Sequence, residues 1–152
     1  NHRYQIGFSG DAVISWKSLD FQPYFNSTAS NVLYGYWSHD LGGHFEADRI
    51  DPEMFTRWMQ FGAVSPVMRT HSSKSGVLNK EPWVFSPVYF NTIRNTILQR
   101  YEMAPYVYTM ARKTYDEGLS ICRPLYYDYP ESKEAFVTGI STRRDKEFPS
   151  YI

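Results

Sequence analysis

A single cysteine, Cys122, in 152 residues excludes an internal disulfide and leaves the redox compartment open. Net charge is missing too: 16 basic residues balance 16 acidic ones, and no basic stripe breaks the balance. Phosphate neutralisation and polybasic anchoring both need such a stripe, so nucleic acid and anionic membrane are not expected partners. No apolar run approaches the roughly 20 residues that cross a bilayer. No signal-peptide pattern opens the chain at Asn1. The length suits one domain with its own core, or part of a larger one. What stands in excess is aromatic: 18% of residues, with 13 Tyr and 4 Trp. Such side chains join an apolar face to a polar tip, which suits a tyrosine-rich core and equally a site facing the CH faces and hydroxyls of a sugar.

Three segments read as strand, then polar residue, then helix or loop. Tyr4–Phe8 leads through Ser9-Gly10 to Asp11, with a helix expected from about Ser15 to Ala29. Val32–Trp37 leads to His39-Asp40 and a Gly42-Gly43 turn; a helix then starts near Pro52, with Asp51 as its N-cap. Ala63–Met68 leads to Arg69-Thr70-His71 and a Ser/Lys/Gly loop. Asp11, Asp40 and His71 follow one another at intervals of roughly 30 residues, the length of one βα unit of a parallel sheet. Right-handed crossovers put all three on the carboxyl edge, where barrels and open α/β sheets keep their sites. A long helical stretch, 88–117, carries Tyr89, Ile93, Ile97 and Tyr101 as an apolar stripe. Pro105 is expected to split it near Ala104, and Gly118 to end it. Residues 121–129 read as an extended entry into a new sheet, and 137–152 as an irregular tail.

Asp11 on its tight turn is placed as a proton donor would be, although an Asp after Ser-Gly also serves as a turn or cap residue. Asp40, beside two glycines, can accept hydrogen bonds from two sugar hydroxyls or simply close an Asx turn. Arg69 and His71, two positions apart, can face the same way and grip hydroxyls or a carboxylate; a structural ion pair for Arg69 and a plain loop role for His71 stay open. His39, Asp40 and His44 match no standard zinc spacing, so no metal is expected. Trp58 reads as core. Trp83, in Glu81-Pro82-Trp83, reads as a cleft wall or a packed loop anchor.

Phe8-Ser9-Gly10-Asp11, Ser38-His39-Asp40-Leu41-Gly42-Gly43-His44, the run from Arg57 to Pro66 with Arg69-Thr70-His71, Glu81-Pro82-Trp83, Pro105–Thr109 and Arg123-Pro124-Leu125 occur in this order. Together, over about Arg3 to Phe136, they resemble glycoside hydrolase family 31, the retaining α-glucosidase and α-xylosidase family. The resemblance implies the C-terminal part, about strands 6 to 8, of a (β/α)8 TIM barrel within 1–118. It further implies the start of a β-sandwich domain within 119–136. Asp11 matches the family's general acid/base. Asp40 and His71 match residues that hold the sugar nearest the cleaved bond. Phe8 takes the place of an aromatic at that subsite, and Arg69 matches a supporting arginine. No cofactor is implied; the implied ligand is an α-linked oligosaccharide or glycoside.

Two departures bear on function. The family's nucleophile motif has no counterpart here, and retaining hydrolysis needs two carboxyl groups roughly 5–5.5 Å apart. The stretch after Phe136 also departs from the family's aromatic-glycine strand. The chain is therefore expected to be a fragment of a larger gene product, its tail arising from a shifted reading frame, and inactive without the missing N-terminal part. The expected activity of the whole is α-glucosidase-like, with α-xylosidase, another α-glycosidase or a non-catalytic carbohydrate-binding remnant as alternatives. As the acid, Asp11 must hold a proton when substrate binds, which calls for burial against aromatic groups and a nearby nucleophile.

Overall fold

The structure, a computed structural model, describes residues 3–4 and 6–136; the expected irregular tail, 137–152, lies outside them. Two short strands, β1 (Ile6–Phe8) and β2 (Tyr36–Ser38), run parallel with Ile6 opposite Tyr36, Gly7 opposite Trp37 and Phe8 opposite Ser38. Helix α1 (Trp16–Thr28) makes the crossover between them. It begins where the Ser15 hydroxyl accepts the Ser18 N–H at 3.1 Å, satisfying one of the donors that a helix start leaves free. Its other end tightens into a 3₁₀ turn, Ala29–Val32, closed by Leu33 at a left-handed φ of 67°. That turn takes the residues expected to open the strand Val32–Trp37. A left-handed residue cannot continue a ladder, so β2 starts only at Tyr36.

Helix α2 (Pro52–Ala63) starts as its sequence predicts. Asp51 is extended and its Oδ1 accepts the N–H groups of Glu53 at 2.9 Å and Met54 at 3.3 Å, while Pro52 fills the first turn. Its other oxygen, Oδ2, accepts the Trp16 indole N–H at 3.1 Å, so one cap side chain also ties α2 to the start of α1. Residues at three- and four-residue spacing, Met54, Phe55, Trp58 and Met59, are buried together, and Trp58 is core as expected. Against them pack Leu41 and Ile93, so the core lies between the strand ends, α2 and the helix that follows.

The expected third strand, Ala63–Met68, is absent as a strand. Ala63 ends α2, residues 64–67 run through turns, and the only pairing is an isolated parallel bridge between Leu41 and Thr70. The reason is a competing set of bonds. The Arg100 guanidinium donates to the carbonyls of Ala63, Ser65 and Pro66 at 2.9, 2.8 and 3.0 Å, occupying acceptors that a ladder would use. The bridge nevertheless gives residues 69–71 the third place on the sheet edge.

The long helical stretch is split as Pro105 predicts, into α3 (Pro87–Glu102) and α4 (Ala104–Glu117), with the break at Met103 and Pro105 in the first turn of α4. Gly118 closes α4 at φ 74°, its N–H on the Thr114 carbonyl. The apolar stripe of α3 runs from fully buried Ile93 out to exposed Tyr101. Residues 119–136 hold no strand. A 3₁₀ turn, Leu125–Tyr127, stands where an extended entry was expected. Bracketing prolines fix φ, the Tyr127 N–H reaches back to Pro124 O, and the Arg123–Asp128 pair at 2.9 Å closes the turn.

Replacing Asp51 by Ala removes the two-donor cap and the tie to Trp16. The expected loss is about 1 kcal/mol of stability, read as a lower urea midpoint at unchanged far-UV circular dichroism. An unshifted midpoint would mean that the cap contributes nothing.

Candidate active site

The parallel register carries three chain segments to one edge. Beyond β1 and β2 the Ser9 N–H still reaches Ser38 O at 3.0 Å, and the Leu41 N–H reaches Arg69 O at 3.1 Å. Asp11, Asp40 and His71 therefore leave the sheet on the same side. Asp40 is fully buried, and its Oδ1 takes a 2.7 Å bond from the Arg69 guanidinium. Arg69 is further held by the Ser38 hydroxyl at 3.4 Å and lies 5.1 Å over the Phe8 ring, a cation–π contact. Four of the five candidates from sequence, Phe8, Asp40, Arg69 and His71, thus gather at one place.

Asp11 joins them through a residue that sequence reasoning considered only as a metal ligand. His44 lies with Nε2 3.6 Å from Asp11 Oδ2 and Nδ1 3.4 Å from Asp40 Oδ2, its ring 4.9 Å from that of His71. The aromatic burial expected around Asp11 is not found; its side chain is 56% exposed and faces His44. His39, Asp40 and His44, whose spacing matches no zinc pattern, do not come together as a group. Successive residues point to opposite faces, and His39 turns inward against Trp58 and Phe61. Asp40, His44 and His71 instead offer atoms within 4.8 Å of one another. The Arg69 guanidinium already sits on Asp40, and the Lys80 ammonium is close by, so a cation has two charges to oppose it.

Lys80 was not picked out by sequence, where a lysine before Glu81-Pro82-Trp83 carries no signal. It is buried, and its ammonium donates to the carbonyls of Gly43 and His71, stitching the two loops together. Burial draws it down to about 8, with Asp40 opposing the fall and Arg69 adding to it. The glycine turn is built for this closeness: Gly43 has φ 78°, and a Cβ there would lie 2.8 Å from Ile14 Cα. Beyond His71 opens a groove of about 950 Å³ lined by Thr70, Lys80, Trp83, Tyr101 and Tyr108. Trp83, 74% exposed, forms its wall rather than a packed anchor.

A carboxylate–arginine–histidine cluster at the carboxyl ends of parallel strands is the arrangement of barrel and open-sheet α/β folds, which keep their sites at that edge. Comparison with known proteins narrows this. The sequence model of the glycosyl hydrolases family 31 TIM-barrel domain matches residues 1–110, and the chain belongs to that family. Its curated relatives include an α-xylosidase of Saccharolobus solfataricus, 33% identical over 86% of this chain and 18% of the relative. Neutral α-glucosidase AB of Mus musculus is 30% identical over 90% of this chain and 14% of its own length. Among solved structures, a Flavobacterium johnsoniae family 31 dextranase mutant complexed with isomaltotriose superposes with a TM-score of 0.79. It is 34% identical, over 88% of this chain and 17% of that one. The chain thus spans less than a fifth of the length of these relatives.

His39 gives the site's surroundings a pH signature. Neither ring nitrogen finds a hydrogen-bond partner among the described residues, and burial, aided by the charge of Arg69, pushes its pKa from 6.5 down to about 4. Unfolded His39 takes up a proton near 6.5 and folded His39 only near 4, so stability present above 6.5 is lost as pH falls through that window. The expected size is about 3 kcal/mol. Urea unfolding at the two ends of the window should show this difference, and His39→Phe should shrink it. An equal pH dependence in the variant would contradict the assignment.

Proposed function

We propose that this chain is part of a retaining α-glycosidase and carries its acid/base residue but not its nucleophile. The observation that supports this most is the convergence of Asp11, Asp40 and His71 on one strand edge around His44. In this reading Asp11, the exposed member, gives its proton to the departing glycosidic oxygen and later takes one from the water that resolves the glycosyl-enzyme intermediate. His71 holds sugar hydroxyls and Phe8 lies against the ring, while Asp40, expected to hold the sugar but fully buried here, braces that subsite from behind with its partner Arg69. A relative complexed with isomaltotriose supports a sugar as the ligand.

Attack at the anomeric carbon needs a free carboxylate oxygen facing Asp11 across the bond. Asp40 is unsuited to that, because it is buried and committed to Arg69. The nucleophile then comes from a further part of the barrel, with residues 3–118 supplying about strands 6 to 8 and 119–136 leading towards a sandwich domain. The groove beside Thr70 and the exposed Ile6 on β1 fit this, since both mark faces on which neighbouring barrel segments would pack.

The test is a chimera in which residues 3–136 replace the matching segment of the Saccharolobus solfataricus α-xylosidase. It should hydrolyse an aryl α-glycoside, and Asp11→Asn should cut its kcat about 10²–10⁴-fold. Turnover that survives Asp11→Asn overturns the acid/base role. The 152-residue chain alone should bind sugar without turnover, and hydrolysis by it would refute the missing nucleophile.

A further inference from the structure

His44 is the least explained group at the strand edge. Its Nδ1 and the facing Asp40 Oδ2 are both shut off from solvent, and neither finds a hydrogen-bond partner of good geometry among the described residues. They lie 3.4 Å apart, so each is the group available to the other. The second nitrogen looks out on Asp11 Oδ2 at 3.6 Å. Catalytic hydrogen bonds are often this long in the absence of substrate and tighten in the complex.

The backbone of His44 is fixed more firmly than that of a free loop. Its N–H donates to Ala12 O at 2.6 Å, and its carbonyl accepts the Ser73 N–H at 3.0 Å. The Lys80 ammonium holds the carbonyl of Gly43 just before it. Bonds to all three edge segments therefore converge at one residue. The charged or titratable groups around its ring come from each of them: Asp11 after β1, Asp40 after β2, and Arg69 and His71 on the third segment. Lys80 adds its charge from below.

We infer that His44 is a positioning residue that joins Asp11 to the buried Asp40–Arg69 pair. Doubly protonated, its imidazole donates one N–H to each carboxylate at once; either neutral tautomer can serve only one of them. When Asp11 passes its proton to the glycosidic oxygen, the carboxylate left behind meets the Nε2–H of His44, which itself gives up no proton. The Asp40–Arg69 pair anchors the ring from the other side. This inference rests on the acid/base reading of Asp11 for its use in catalysis, but the coupling itself can be measured without turnover.

Carbodiimide labelling of carboxyl groups in the 152-residue chain, read by mass spectrometry at mildly acid pH, supplies that measurement. Asp11 is exposed and reports on its neighbour, while Asp40 is buried and reports on folding. His44→Phe should speed Asp11 labelling severalfold, and His44→Gln, which keeps one donor, should fall between. Raising ionic strength to about 1 M should speed labelling in the parent and not in His44→Phe, because a charge-assisted contact is screened and a steric one is not. The comparison is read in whichever variant keeps Asp40 unlabelled. An Asp11 rate equal to the parent's, or a parent rate indifferent to salt, overturns the coupling. The chimera's kcat after Asp11→Asn tests the acid/base role separately, so the two failures are distinguishable.

Discussion

A carboxylate with no access to water has to be answered by protein groups, and Asp40 sets that condition for everything around it. An unpaired charge at such a position is costly by several kcal/mol. Arg69 meets one oxygen at 2.7 Å, and His44 lies 3.4 Å from the other. Those two partners come from different segments, so the strand ends must sit side by side before the charge is satisfied. The bridge between Leu41 and Thr70, the Gly42-Gly43 turn and the Lys80 ammonium all serve that alignment. The chemistry of the edge and the folding of the edge are thus one problem.

The same arrangement separates two kinds of carboxylate. Asp40 is buried, paired and fixed, which suits it to holding Arg69 and the strand ends in place. Asp11 is exposed and faces the His44 ring, which leaves its carboxylate open to a ligand. Between them stands an imidazole that can address both. Environment rather than residue type distinguishes the two carboxylates.

Much of this was legible in the sequence because local chemistry set it. Asp51 announces a helix start through a side-chain acceptor that needs no tertiary partner. Gly118 announces a helix end by tolerating a left-handed φ. The roughly 30-residue interval that put Asp11, Asp40 and His71 on one edge is a property of βα units. Other features depended on partners distant in sequence. The third strand was lost to Arg100, which lies over 30 residues from the carbonyls it binds. Lys80 looked like any surface lysine until the fold buried it. His44 had no reading beyond a weak metal hint, since its meaning lies in the two carboxylates flanking it.

Legible without the fold were the family, the first two strands, the helix starting after Asp51 with its cap and the identity of the residues at the strand ends. These follow from periodicity, turn chemistry and ordered motifs, all of which act over short spans of chain. That Asp11 stands exposed, that His39 turns into the core while Asp40 faces the edge, and that His44 lies between two acids emerge on folding alone. Burial and electrostatic pairing are sums over neighbours that the chain brings together only when it folds.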